Sequence, residues 1–203
     1  MSKPVLVCFA VPQEAKPFLK LIGQDRDVRV LVTGMGARNA ERSLLATLGT
    51  FSPRRVFTCG FAGALDPALQ IGDVVCEPGT VIAGVRSVQF TCTERVAVTV
   101  AEKSALRASS GADAVEMESA VITRLCVARG LSCATVRVIS DTAHEDLPLD
   151  FNSLLTKDDV LSPAKLALAL LKAPQRIPAL MRLGRNSALA AGRLAKVLHQ
   201  AVR

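Results

Sequence analysis

Carboxylates at the ends of two apolar stretches carry the chemistry in this sequence. Ala114-Val115-Glu116-Met117-Glu118-Ser119 is followed by Arg137-Val138-Ile139-Ser140-Asp141. Each stretch reads as a buried strand breaking into polar residues, where an acid is costly unless it meets a ligand, a proton or a partner. Glu118 opens a helix and can accept two hydroxyl hydrogen bonds, which suits a vicinal diol; a helix-start acid favoured by the dipole is the structural alternative. Asp141 is the candidate proton donor, since burial near other carboxylates lets an acid keep a proton at neutral pH. The alternative is an aspartate capping a turn. Glu14, just beyond the first apolar run, can position or deprotonate a water, or bond a phosphate or hydroxyl. Glu116 reads as structural, because in an extended segment it points opposite to Met117.

Small residues supply the other half of the pattern. Thr33-Gly34-Met35-Gly36 lies between an apolar run and a helical one, where glycines admit an anion to free helix N–H groups. A plain tight turn is the other reading. Asn39 stands where a dinucleotide fingerprint needs its third glycine, which disfavours a nicotinamide site. Gly60-Phe61-Ala62-Gly63 also follows a strand and keeps its end open to a flat ligand, or allows close helix packing.

These residues need a frame, and the apolar pattern provides one. Strands are expected at 5–10, 28–32, 56–59, from 72, 81–88, 96–100, 113–116 and 133–139. Helices are expected from Glu14 to Ile22 and over 37–48, 102–109, 119–129, 163–172 and 178–202, with 146–159 as loop. Alternating strands and helices predict one α/β domain over 1–203, a three-layer α/β/α sandwich on a central mixed, largely parallel sheet. Ligands of such folds sit beyond the carboxyl ends of the strands, where the acids and glycines fall.

Composition narrows the function. Half the residues are hydrophobic, and the seven aromatics are all Phe, so no Trp or Tyr stacks on a base. The six cysteines form no CxxC pair and the two histidines lie far apart, which argues against a zinc site and predicts no metal. Neither a signal peptide nor a spanning segment is legible, so a reducing cytoplasm is expected. Of 25 Lys/Arg, eight fall in 160–203, which has no Asp/Glu, so the net charge of +7 belongs to the C-terminal segment. That does not mark a nucleic-acid binder. The segment either packs on the domain or contacts anionic lipid at the inner membrane face.

In order along the chain, AVPQEA, TGMGARNA, GFAGALDPALQIGDVV, AVEMES and VRVISDTA resemble the nucleoside phosphorylase and nucleosidase superfamily. The resemblance implies that Met117 and Glu118 hold ribose hydroxyls and that Asp141 protonates purine N7. Ser140, Phe61, Ala62, Gly63, Gly34 and Gly36 then surround the nucleophile or the base. The nucleophile is inorganic phosphate near Gly34 and Gly36, or a water held by Glu14 as in methylthioadenosine/S-adenosylhomocysteine nucleosidases. Thr58 and Phe61 stand where many purine nucleoside phosphorylases carry a phosphate-binding Arg and Ser. GFAGALDPALQIGD and the C-terminal LLKAPQRIPALMRLGRNSALAAGRLAKVL resemble hopanoid-biosynthesis-associated phosphorylases. That implies phosphorolytic release of adenine from adenosylhopane, a lipid-linked nucleoside substrate, with no cofactor and in a homo-oligomer. Hydrolysis by a nucleosidase is the alternative, and a non-catalytic nucleoside-binding protein is the second.

Overall fold

The computed structural model describes residues 4–203. The first strand, β1 (Val5–Phe9), is buried on both faces. Its odd residues Val5, Val7 and Phe9 pack with Ala15, Phe18, Ala190, Leu194 and Leu198, while Leu6 and Cys8 pack with Ala40, Leu44, Ile122 and Leu125. This period of two makes three layers. Helices α1 (Pro12–Ile22) and α7 (Ile177–Ala201) cover one face; α2 (Gly36–Leu48) and α4 (Ser119–Val127) cover the other.

Strand β2 (Val28–Val32) pairs parallel with β1, which pairs parallel with β3 (Arg55–Ala64). Next come β8 (Ser132–Asp141), parallel to β3, then β4 (Val74–Cys76), antiparallel to β8, and β5 (Arg86–Ser87). Off this path, β7 (Ala114–Glu116) pairs antiparallel with the end of β3 and parallel with β6 (Phe90–Cys92). The sheet is thus mixed and mostly parallel, as expected. Helix α3 (Val100–Ser110) starts at a capping box of Thr99 and Glu102, and α5 (Phe151–Leu154) and α6 (Pro163–Lys172) precede α7.

Several local expectations are corrected. Strand β3 does not stop at Cys59: Gly60 to Gly63 lie inside it, paired with β8 from Arg137 to Asp141. The expected strand over 81–88 shrinks to Arg86–Ser87. Residues 96–100 form no strand, because side chains take their backbone groups: Asn152 Oδ1 accepts the Val96 N–H and Glu102 Oε2 the Val98 N–H. The 146–159 loop contains α5. Among the described residues, no helix is long and apolar enough to cross a membrane.

Candidate active site

A cavity of about 580 Å³ opens at the carboxyl ends of the central strands. Glu14, Phe61, Ala62, Gly63, Met117, Glu118, Ser140 and Asp141 all line it, so the structure brings these sequence-expected residues together.

Glu14 lies in the first turn of α1. One carboxyl oxygen accepts the N–H groups of Ala10 (2.9 Å) and Val11 (3.0 Å), and the other accepts the Phe61 N–H at 2.8 Å. Burial pushes its pKa up to about 7 and the Glu118 charge adds to this, while the Phe61 N–H and Arg137 oppose it. A carboxyl titrating there is matched to accepting a proton from water.

Gly34 and Gly36 do not line the cavity; Met35 between them does. The Gly34 N–H donates to the Ala10 carbonyl at 3.1 Å, and the Gly36 N–H donates to Glu118 Oε1 at 2.9 Å. The N–H groups expected to meet an anion are therefore hydrogen-bonded within the chain. Both glycines have positive φ, as this turn requires.

Arg137 is the residue that sequence reasoning missed. It sits in the middle of β8, 1% exposed, on the face opposite Val136 and Val138. Its guanidinium pairs with Glu116 and, at 3.3 Å, with Glu118, and it donates to Thr58 Oγ1 at 3.2 Å. Burial raises the Glu118 carboxyl and the nearby Glu116 charge raises it further, although Arg137 opposes both. Burial would also raise Glu116, but Arg137, with the Cys92 and Ser119 side chains and the Glu118 N–H, holds it below the usual range. Both acids line the cavity, but the Glu116 side chain is fully enclosed as the partner of a buried cation, whereas that of Glu118 keeps 8% of its surface exposed. An arginine flanked by apolar residues, Val136 and Val138, and a carboxylate run elsewhere was the available signal.

The register of β3 with β8 shifts between Ala62 and Gly63, so that Gly63 pairs with Asp141 and Ser140 is the extra residue. This bulge re-aims Asp141 toward the cavity. The Asp141 side chain is 13% exposed; its Oδ1 accepts from Ser140 Oγ at 2.7 Å and its Oδ2 meets Lys103 Nζ at 2.7 Å. A Cβ at position 63 would lie 3.2 Å from Asp141 Oδ2, so the glycine leaves room for the carboxyl.

Of the phenylalanines, Phe61 and Phe151 line the cavity, whereas Phe90 packs against a core cluster. His144 is exposed in its loop. One wall is strongly apolar: Leu147, Leu155, Leu161, Leu166, Leu180 and Leu183 extend the cavity from the carboxylates to α6 and the start of α7. Among the described residues, no group of three or more His, Cys, Asp or Glu side chains is placed to hold a metal.

A methylthioadenosine/S-adenosylhomocysteine nucleosidase of Marinomonas sp. (strain MWYL1) is 26% identical over 174 residues, covering 65% of this chain and 75% of that one. The protein of the same name from Staphylococcus aureus (strain MRSA252) is 28% identical over 180 residues, covering 68% and 79%. Among solved structures, futalosine hydrolase of Helicobacter pylori strain 26695 superposes with a TM-score of 0.72 at 17% identity, covering 98% of this chain and 96% of that one. A methylthioadenosine/S-adenosylhomocysteine nucleosidase from Helicobacter pylori, solved with butyl-thio-DADMe-Immucillin-A, also gives 0.72, at 16% identity and covering 100% and 98%. These structures share the fold of this chain. The model of the Phosphorylase superfamily matches residues 11–77 and 81–172, a span that holds every acid of the cavity from Glu14 to Asp141, and the chain belongs to that family.

Proposed function

We propose that this enzyme hydrolyses the N-glycosidic bond of 5′-substituted adenosines, releasing adenine, with water as the nucleophile. One observation carries the choice of water over phosphate. The backbone donors expected to cradle an anion are engaged, Gly36 N–H by Glu118 and Gly34 N–H by the Ala10 carbonyl, and the Phe61 N–H is likewise taken by Glu14. A phosphate dianion would face those same two carboxylates. The curated relatives named above are nucleosidases, which supports the same choice.

In this reading the substrate sugar lies between Glu118 and Glu14. Glu118 accepts the ribose hydroxyls, its other contacts being Gly36 N–H and Arg137. Water attacks C1′ while Glu14 takes its proton. The C1′–N9 bond breaks as in glycoside cleavage, and its electron pair goes to the purine. Asp141 donates a proton to N7, so adenine leaves neutral. The Ser140 hydroxyl, between Asp141 Oδ1 and the Ala62 carbonyl at 3.4 Å, can donate to a carboxylate or accept from a carboxyl. General acid and base help of this kind is each worth about 10²–10⁴-fold.

The leucine wall supports a long apolar group on the 5′ carbon, for which a hopane is one candidate. Leu168, Leu171, Ile177 and Met181 are exposed on α6 and α7, beside exposed Lys165, Lys172, Arg176, Arg182 and Arg185. We infer that this lip meets anionic lipid, so that a water-insoluble substrate enters the cavity from the membrane surface. Vesicle co-sedimentation tests it: binding to anionic vesicles should exceed binding to neutral ones and fall in Arg182→Glu/Arg185→Glu. Equal binding to both, or a dimer that Met181→Glu disrupts, assigns the lip otherwise. The reaction is tested by incubating a panel of adenosines with short and long 5′ substituents and following adenine by chromatography. Adenine release supports the proposal; tight binding with no free base would make the chain a nucleoside-binding protein.

A further inference from the structure

Lys103 lies on α3, outside the set of residues that line the cavity, yet it is the one buried residue of that helix. It is 1% exposed. An ammonium has three protons. Here Nζ donates to the Thr142 carbonyl at 2.7 Å and the Glu145 carbonyl at 2.9 Å, and meets Asp141 Oδ2 at 2.7 Å. Each proton has an acceptor, so none is left for a substrate. The same segment is tied to the start of α3 by the Leu147 N–H on the Val98 carbonyl and by Asp146 Oδ1 on the Val100 N–H.

We propose that Lys103 is a positioning residue for proton donation: it fixes the Asp141 carboxyl by Oδ2, so that Oδ1, which Ser140 Oγ also orients, serves the purine, and it stabilises the carboxylate that donation leaves behind. The inference rests on the reading of Asp141 as the proton donor. Donation to N7 moves a proton, taken up from solvent on the Asp141 carboxyl before the step, to the leaving base, and Asp141 returns to the anion beside Lys103. A cation held 2.7 Å from Oδ2 matches that charge as it develops. Stabilisation that grows along the reaction raises kcat and leaves KM nearly unchanged. The two carbonyl bonds hold the ammonium in place, so that little reorganises during the step.

The test compares two leaving groups on one sugar. Wild type, Lys103→Met and Asp141→Asn are assayed on a 5′-alkylthioadenosine and on the 4-nitrophenyl riboside with the same 5′ group, whose nitrophenolate leaves without a proton. Lys103→Met should lower kcat for the adenosine by about 10²–10³-fold, with KM within about threefold, and slow the nitrophenyl riboside far less. In the Asp141→Asn background, Lys103→Met should cost less than about threefold, because the two residues act as one unit. Equal slowing of both substrates, or independent losses in the double variant, would show Lys103 to be a packing residue and overturn the proposal. Lys103→Gln keeps a donor for the two carbonyls and decides the matter by the same two criteria where the methionine variant does not fold. Wild type that releases neither adenine nor nitrophenolate would sink the enzymatic reading itself, a different outcome from an insensitive Lys103.

Discussion

Gly60 and Glu14 are fitted to each other: a Cβ at position 60 would lie 2.6 Å from Glu14 Oε1 and 2.9 Å from its Cδ. The bare backbone of β3 at this point, with φ of 144°, is what lets the carboxyl reach the Phe61 N–H. Gly60→Ala should therefore displace the Glu14 carboxyl, the base of the proposed reaction, and strain the strand together. Each effect costs about 1–3 kcal/mol, so a melting point roughly 5–15 °C lower is expected. At a temperature where the variant is fully folded, kcat should still fall at least about tenfold.

The pH profile follows from Glu14. Its pKa, raised by burial to about 7, means that the carboxyl is protonated below that pH and cannot accept a proton from water. The acidic limb of kcat/KM should have its midpoint near 7 and fall about tenfold per unit below it. Glu14→Gln should remove that limb and lower the rate by about 10²–10⁴-fold. The linkage to folding has the opposite sign. The carboxyl is harder to ionise in the folded chain than at its ordinary 4.5, so its contribution to stability is complete below 4.5 and declines as pH rises through about 7. Chemical denaturation across this interval reads that decline.

Arg137 neutralises two buried acids, and its loss leaves Glu116 buried and unpaired. Arg137→Met should destabilise the fold by about 3–5 kcal/mol. Adding Glu116→Gln should recover part of that loss, because the orphaned charge goes with it. Denaturant midpoints of the two single variants and the double variant measure the coupling.

Under the proposed function, the apolar wall selects among 5′ groups. Leu180 and Leu183 line the cavity far along the chain from the carboxylates. Leu180→Gln/Leu183→Gln should lower kcat/KM for long-alkyl substrates by tens of fold, at about 0.8 kcal/mol per buried methylene. Methylthioadenosine, too short to use the wall fully, should change by less than about threefold, as steady-state assays of both substrates would record.

The sequence made the layered fold legible because Val5–Phe9 is a continuous apolar run and Ser132–Asp141 is a buried strand rich in apolar residues, a pattern of sheets covered on both faces. Glu14, Glu118 and Asp141 stood out because they lie at or just beyond the ends of apolar stretches. Lys103 and Arg137 did not, since their burial depends on partners distant in the chain. The Val96–Val100 segment misled because its β-branched residues favour a strand, whereas Asn152 and Glu102 claim its backbone. The leucine wall is formed by residues from 147 to 183 that meet only in the folded chain. The engagement of the Gly36 N–H by Glu118 was not legible, because no local pattern connects residues so far apart in the chain.

Adenine release from 5′-methylthioadenosine, measured with phosphate rigorously excluded and then restored, tests the central claim most directly. Turnover to free 5-methylthioribose at a rate that phosphate does not change is the predicted result. Dependence on phosphate with a sugar 1-phosphate as product, or no adenine under either condition, would contradict it.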